Sequence, residues 1–577
     1  MSNKILVLSL LCALSINLFA QKSKNVTYTK KIVRLSSRYV EGAFSINSSE
    51  MVLYTNYNSA VVIKSIPIKK NSKVALYKLD ENLNIVQKNS IKSEFYNKRI
   101  NIEKIMKIGN FGWLFFTYNN YNTKVTYLFA QKFDYHNLET TDDPIKIAET
   151  PYSKSQKYFN KYTFEQSENG KLIMITAESA TGRTKSSSTA LTVWVYNQNM
   201  ELLNYVNKLK LPNNGSIKST TIADDGSFNI IGLSKKEKSR EKKSFKDFLK
   251  GNSNNNELSL SMFNYDSLGE IHDYSFGEEK LKILDIKSSI NNNTGNYCIV
   301  GLYTENKKGA KGIICSQLSS KDFSEISFVK APFSDKFINN ANKKYDIKSE
   351  STKKKTTKKK KDKDENESSN DDESKPKSKY LDKLDKNAQE PEEEEKKDLK
   401  TKDKSKDTEK DEDDDKKSTS NKEITNLNKI ADVVFDNDDN PICIFEKRWV
   451  NVVTTTSSKG GTSTTYYYHY GDAVIAKIEN GEILNSKIIR KDGTTTNISY
   501  PAGLSVLTND DYVILSYSEK QIDFKKDDLS SKYENADTRR EKSYTMSGTR
   551  IKLASNKSLI TTPKAFKEVK LELIIAK

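Results

Sequence analysis

The sequence predicts an all-β chain, a β-propeller of about seven four-stranded blades interrupted by a disordered charged insertion. Three observations predict it. A turn rich in Gly, Asp, Asn and Ser precedes a short apolar strand at seven places. The turns recur at a near-constant step, and a second turn follows within each unit. One stretch, 343–425, has almost no apolar side chains and breaks the step where it falls.

The first copies are Asn47-Ser48-Ser49-Glu50 before Met51–Tyr54, and Gly109-Asn110-Phe111-Gly112 before Trp113–Phe116. Glu168-Asn169-Gly170-Lys171 then precedes Leu172–Ile175, and Asp224-Asp225-Gly226-Ser227 precedes Phe228–Ile231. The later copies open at Asn293, Asp438 and Asn509, before Tyr297, Ile442 and Tyr512. Gly, Asn and Asp supply the positive φ or the side-chain turn bonds that tight hairpins need. The second turns begin with Asp80–Asn84 and Phe133–Asn137, and end with Glu479-Asn480-Gly481 and Ala554–Lys557.

Taking the last turn residue before each strand gives marks at 50, 112, 171, 227, 296, 440 and 511. Setting aside 343–425 turns the one long step, from 296 to 440, into 61 residues, in line with the others. A period near 60 with two turns per unit fits four short strands, and such sheets packed radially bury their faces only against their neighbours; seven marks suggest seven blades, with six or eight as alternatives. Tandem β-sandwiches are the structural alternative. The strand around Val26–Leu35 is expected to join the chain end and close the ring.

The expected organisation is therefore a signal peptide at 1–20, blades one to five in 21–342, the insertion at 343–425, and blades six and seven in 426–577. Residues 1–20 have the form of an export signal: Lys4, an apolar run from Ile5 to Leu18, and Leu18-Phe19-Ala20 as a cleavage site. The run is too short for a membrane span, and no later run reaches the ~18 apolar residues a spanning helix requires. The insertion holds Lys353–Lys355, Lys358–Lys361 and Glu392–Glu395, and cannot bury enough surface to offset its ordering entropy. It reads as a loop between blades, with an interdomain linker as the competing view. Lys235–Asn256 and Gln521–Ser547 read as long polar loops on one rim.

The formal charge is +18. The insertion is nearly balanced, so the excess sits on the folded parts, where a Lys-rich surface explains it without a nucleic-acid partner. The three cysteines beyond the signal, Cys298, Cys315 and Cys443, read as free buried residues, with a 298–315 bridge as the rival.

No reaction signature appears. His136, His272 and His469 lie outside any metal-binding spacing, and no nucleophile elbow, phosphate loop or dinucleotide fingerprint is present. No cofactor or metal is expected. Paired carboxylates for glycoside cleavage remain open, because Asp and Glu are plentiful.

The most distinctive local feature is the hairpin from Trp449 to Tyr470. Strand alternation puts Tyr466, Tyr468 and Tyr470 on one face and Tyr467 and His469 on the other. A tyrosine row offers flat apolar area with hydroxyl handles, which suits contact with protein or sugar. Ordinary cross-strand Thr/Tyr packing is the plainer reading. The candidate binding residues are Trp449, Tyr466, Tyr468, Tyr470 and His469.

Here the chain resembles a family of uncharacterised exported proteins of Bacteroidota-type bacteria. The shared pattern is the Thr454-Thr455-Thr456 strand, the Gly460-Gly461 turn, Tyr466-Tyr467-Tyr468-His469-Tyr470, and an apolar strand ending at Asn480-Gly481. The likeness implies export and a non-catalytic repeat scaffold. The functional expectation is an interaction platform at the cell envelope, in the periplasm or on the outer surface, with an envelope protein or a glycan as partner. A glycan- or peptide-active hydrolase and an adhesin are the alternatives.

Overall fold

A computed structural model describes residues 26–36, 40–56, 73–96, 98–120, 122–151, 161–180, 189–210, 216–235, 258–272, 282–305, 309–343, 423–456, 461–491, 493–496, 504–517, 520–531, 544–545, 549–563 and 568–576. The export signal, most of the charged insertion, all of Lys235–Asn256 but its first residue, and the middle of Gln521–Ser547 lie outside these residues. The description below concerns the unit made by the chain on either side of the insertion.

Among the described residues eight main sheets follow one another around an axis, and seven of them contain the expected antiparallel four-strand meander. The first runs Gly42–Ser45, Met51–Asn56, Lys73–Leu79 and Ile85–Lys92, from the axis outward. The next four open with Asn101–Ile108, Lys161–Gln166, Ser216–Ile222 and Lys282–Ile290. The sixth opens with Leu427–Phe435 and is widened by Gly493–Thr496 and Tyr544–Thr545. Among the described residues the seventh has three strands, Ser505–Thr508, Tyr512–Tyr517 and Lys520–Lys525. The eighth is Thr549–Ala554, Lys557–Pro563 and Glu568–Ala576, completed by Val26–Arg34.

The stretch beyond the insertion thus holds three sheets where the turn marks predict two. The extra blade escapes the count because Ala554–Lys557, read as a second turn, is the first turn of its own sheet. That turn leads into Lys557–Pro563, as Asn47–Glu50 leads into Met51–Asn56. Ring closure follows the expectation: Val26 pairs Ala576 and Arg34 pairs Glu568, so the first described strand is the outer strand of the last sheet.

The apolar quartets face two ways. Met51 and Leu53 enter a cluster with Leu559, Leu571 and Leu573 of the eighth sheet, while Val52 and Tyr54 enter one with Leu114 and Phe116 of the second. Trp113 and Phe115 then point onward to Ile173 and Trp194 of the third. A strand buried on both faces needs a continuous apolar run instead of alternation, and this explains the four-residue blocks in the sequence. Every junction between neighbouring sheets has such a cluster, eight in all. Tandem sandwiches would instead pair sheets into separate cores.

Cys298, Cys315 and Cys443 all sit in the cluster between the fifth and sixth sheets, as buried thiols. The two that flank the hairpin do face each other, with sulfurs 3.5 Å apart.

Within each sheet the first and third connections lie at one end of the ring and the second at the other, with the links between blades. At the first end the turns are short and bonded to their neighbours. The Gly109 N–H donates to the Gly170 carbonyl at 2.6 Å, and the Asn169 N–H to Asp224 Oδ1 at 3.0 Å. Further round, Asn291 Nδ2 donates to Asp439 Oδ1 at 3.0 Å and Lys557 Nζ to the Ser48 carbonyl at 2.9 Å.

The third connection carries a device the sequence conceals. Leu83, Leu138, Met200, Phe323 and Leu529 close these turns at φ between 53° and 62°. Each drives its side chain into a junction or beneath one. A left-handed backbone is disfavoured for any residue with a Cβ, and burial of the side chain offsets that cost. The fourth sheet uses Gly269 there, at φ 85°, without a buried plug.

A candidate interaction face at the loop end

The loop end is irregular. Its largest described feature is the sixth-sheet hairpin, whose strands Pro441–Thr456 and Thr462–Glu479 continue past their neighbour Leu427–Phe435. Pairing runs from Ile442↔Lys477 to Thr456↔Thr462, with a bulge near Glu446 and Arg448 where the arm leaves the sheet.

A buried ionic cluster sets the root of this arm. Glu446 is fully buried between Lys491 and Arg448, with Arg448 Nε 2.5 Å from Glu446 Oε2. Burial alone would raise the Glu446 carboxyl, but Lys491 and Arg448 outweigh it and hold the group below the ordinary carboxylate range. Asp472, also buried, accepts from Arg490 at 2.8 Å and from the Lys491 N–H at 3.2 Å. Arg490 and Lys447 reach on to the last carbonyls of the helix Asp335–Asn342: Arg490 donates to Asn340 at 2.6 Å and Lys447 to Ala341 at 2.7 Å. Cations are favourable at that end of a helix.

The same helix pins the exit and return of the insertion. Asn342 Nδ2 donates to the Glu423 carbonyl at 2.7 Å, and its Oδ1 accepts from Thr425 N–H at 2.9 Å. Glu423 is buried and accepts from Thr304 Oγ1 and the Glu305 N–H, both at 2.7 Å. Glu423–Thr425, expected to end the disordered stretch, therefore form ordered structure, and Ile424–Thr425 pairs with Gly309–Ala310. Gly309 is required there because a Cβ would stand 2.0 Å from the Ile424 carbonyl oxygen.

The candidate residues of the arm separate into three environments. Tyr466 and Tyr468 stack at 6.4 Å on one face, opposite Val452 and Val450, and Tyr466 and both valines are exposed. Tyr470, assigned to the same face, is buried at the root under the Arg448 guanidinium, 5.3 Å from its ring centre. On the other face Trp449 and His469 stack at 4.9 Å, within 7° of parallel. The His469 nitrogens lie 3.1 Å from Asn451 Nδ2 and 3.1 Å from Thr494 Oγ1, which fixes the ring. Gly493–Thr496 covers the far edge of the second arm strand at Tyr467–Tyr470.

The axis holds a second feature, a cavity of about 580 Å³ lined by the inner strands of the third to sixth sheets. Asp285 accepts from the Ile430 N–H at 2.9 Å and lies 3.0 Å from Lys429 Nζ, and Lys287 Nζ lies 2.6 Å from Asp432. Glu165 is open to the cavity yet has protein on most sides. The resulting desolvation raises its carboxyl, against the pull of Lys287 and Lys104. Sequence alone could not select these carboxylates, because the ring and not the chain brings them to one axis. His136 sits in a surface turn, and His272 in the short strand Ile271–His272, 3.1 Å from Asp266. Among the described residues no helix is long and apolar enough to cross a membrane.

No family model matches this chain. No curated protein matches it either. Among solved structures it is similar to a protein of unknown function from Dyadobacter fermentans, at 8% identity and TM-score 0.31, over 96% of this chain and 100% of that one. It is similar to BamB from Moraxella catarrhalis, at 8% identity and TM-score 0.35, over 95% and 99%. The β-propeller domain of the Trilobed protease from Pyrococcus furiosus is similar at 9% identity and TM-score 0.29, over 85% and 98%.

Proposed function

We propose that this protein is an exported, non-enzymatic propeller that acts as a protein-interaction platform at the cell envelope, with the arm as its principal contact. The observation that carries the reading is the arm itself. A two-stranded ribbon projecting from its sheet is marginal on its own, yet this one is rooted in two buried carboxylates and keeps Val450, Val452 and Tyr466 in water. Exposed apolar and aromatic groups on a rigid mount suit a binding surface. Export rests on the form of residues 1–20 and the family resemblance of the hairpin.

The test is site-specific photocrosslinking in cells. A photoreactive residue at Tyr468 should capture a discrete partner, and one at Ser48, on the turn end, should not. The Tyr466→Ser/Tyr468→Ser pair should abolish capture from a third position on the arm. Equal capture at both ends, or capture that survives the pair, overturns the reading. Tyr470 is left intact because it is buried.

A second reading draws on the axial cavity. Glu165 with a raised carboxyl, beside Asp285 and Asp432, is the kind of arrangement a glycan- or peptide-active hydrolase uses for proton transfer. Turnover of an oligosaccharide or peptide that disappears in Glu165→Gln would establish it, and absence of turnover would leave the platform reading.

A further inference from the structure

Where the first blade passes to the second, at the loop end, the chain builds a small aromatic basin. The short hairpin Glu94–Phe95 and Lys98–Arg99 leans over the second sheet, and Phe95 stands 5.5 Å from Phe116 and 5.2 Å from Phe129. The cross-strand pair Tyr118 and Tyr127 forms the side of the basin, and the cavity measures about 350 Å³. Two ammonium groups rim it: Lys98 Nζ lies 5.3 Å from the Tyr118 ring centre and Lys146 Nζ 5.6 Å from that of Tyr127. Lys146 Nζ also lies 3.3 Å from the Glu149 carboxylate, which is not among the residues lining the cavity.

One wall is held in place at a cost. Tyr96 is 79% exposed and sits at φ 47°, a conformation disfavoured for a residue with a Cβ. Its ring touches only Phe95, at 4.4 Å among the described aromatic contacts. A tyrosine kept in water at an unfavourable backbone angle contributes little to the fold. Backbone strain of this kind gathers at binding sites.

We propose that this basin binds an extended polypeptide segment in which an aromatic side chain is flanked by carboxylates. The floor and walls are ring faces, so the inserted group is flat and apolar. The lysines lie over the two tyrosine rings and line the cavity, so the rim offers positive charge and repels a cationic ligand. The basin takes about one aromatic side chain and leaves its neighbours outside. Its mouth is too open to enclose a free small acid, and the exposed Tyr96 and Lys98 give a longer chain further contact. The site lies on different blades from the arm and does not rest on the arm's role.

Calorimetric titration of the full chain tests this with capped pentapeptides: Gly-Asp-Phe-Asp-Gly, its Lys-for-Asp and Ser-for-Phe counterparts, and free phenylacetate. The acidic aromatic peptide should bind at least about tenfold more tightly than the other three. Its affinity should fall about tenfold in Lys98→Gln/Lys146→Gln, from two screened ion contacts, and to a similar degree in Tyr96→Ala. The Tyr466→Ser/Tyr468→Ser pair should leave it unchanged, which separates this site from the arm. Circular dichroism controls for folding, and the surface lysine pair keeps its aliphatic stems. Equal binding of the lysine peptide, equal binding of phenylacetate, or no saturable binding at millimolar peptide each overturns the proposal.

Discussion

At the turn end of the ring, Asn47, Asp80, Asn197 and Asp266 each fold a side chain back onto the N–H two residues ahead. Neighbouring turns then bond to one another around the ring. At the loop end, the same strands are joined by stretches as different as 122–124, the Trp449–Tyr470 arm and the 80 or so residues of the insertion. The turn end is repetitive because every turn meets the same neighbours, so each copy obeys one steric rule. The loop end mostly meets solvent, so no shared steric rule restrains its connections.

That contrast can be broken by substitution, and the largest effect belongs at the turn end. Trp113 is fully buried and donates its indole N–H to the Gln198 carbonyl of the next blade at 3.1 Å. Trp113→Ala should cost about 3–5 kcal/mol, as for other large core truncations, read from urea denaturation. A loss below about 1 kcal/mol would mean the blades do not rely on one another as argued.

Next comes the root of the arm. Glu446→Gln strands Lys491 and Arg448 and should cost about 3 kcal/mol, with protease cutting within the arm before the ring opens. A uniform loss with no arm-specific cleavage would make Glu446 part of the general core.

The pH dependence sharpens the same point. Glu446 and Asp436 have carboxyls held below their ordinary range in the folded chain: burial would raise both, but Lys491 and Arg448 outweigh it at Glu446, and hydrogen bonds from Lys477 and Asn440 outweigh it at Asp436. A depressed folded value means that the stability they contribute is complete above the ordinary pKa of a free carboxylate. It is lost as pH falls through the folded value. Melting temperature should therefore drop below about pH 4, less steeply in Glu446→Gln than in the parent. Parallel profiles would refute the assignment.

The smallest effect is expected at the exposed face of the arm. The Tyr466→Ser/Tyr468→Ser pair should shift stability by no more than about 0.5 kcal/mol while abolishing partner capture. A larger destabilisation would make the tyrosine row a structural stiffener.

Much of the ring was legible in the chain. Met51–Tyr54 and Trp113–Phe116 announced strands buried on both faces, and Val26–Leu35 announced the closing strand. The eighth blade was not, because Ser555-Asn556 is a weak turn signal 45 residues after Asp511, well short of the usual step. The plugs at Leu83, Leu138 and Leu529 were hidden because an apolar residue carries no turn signature, and its left-handed backbone is decided by the pocket it fills. For the candidate site, alternation set Tyr466 and Tyr468 apart from His469, and in the structure the two tyrosines stack on each other while His469 stacks on Trp449. It could not foresee that Tyr470 lies below the surface, since burial depends on where the arm leaves its sheet.

By itself the sequence determined the class of fold, the order of its units, the position of the charged insertion and the arm's two faces. These follow from periodicity, and periodicity is a local property of the backbone. Tertiary structure alone decided the number of blades, the axial gathering of Glu165, Asp285 and Asp432, and the basin shared by Phe95, Tyr118 and Phe129. Each of those joins residues from different strands or blades, whose proximity is set by how many sheets close the circle and not by any spacing along the chain.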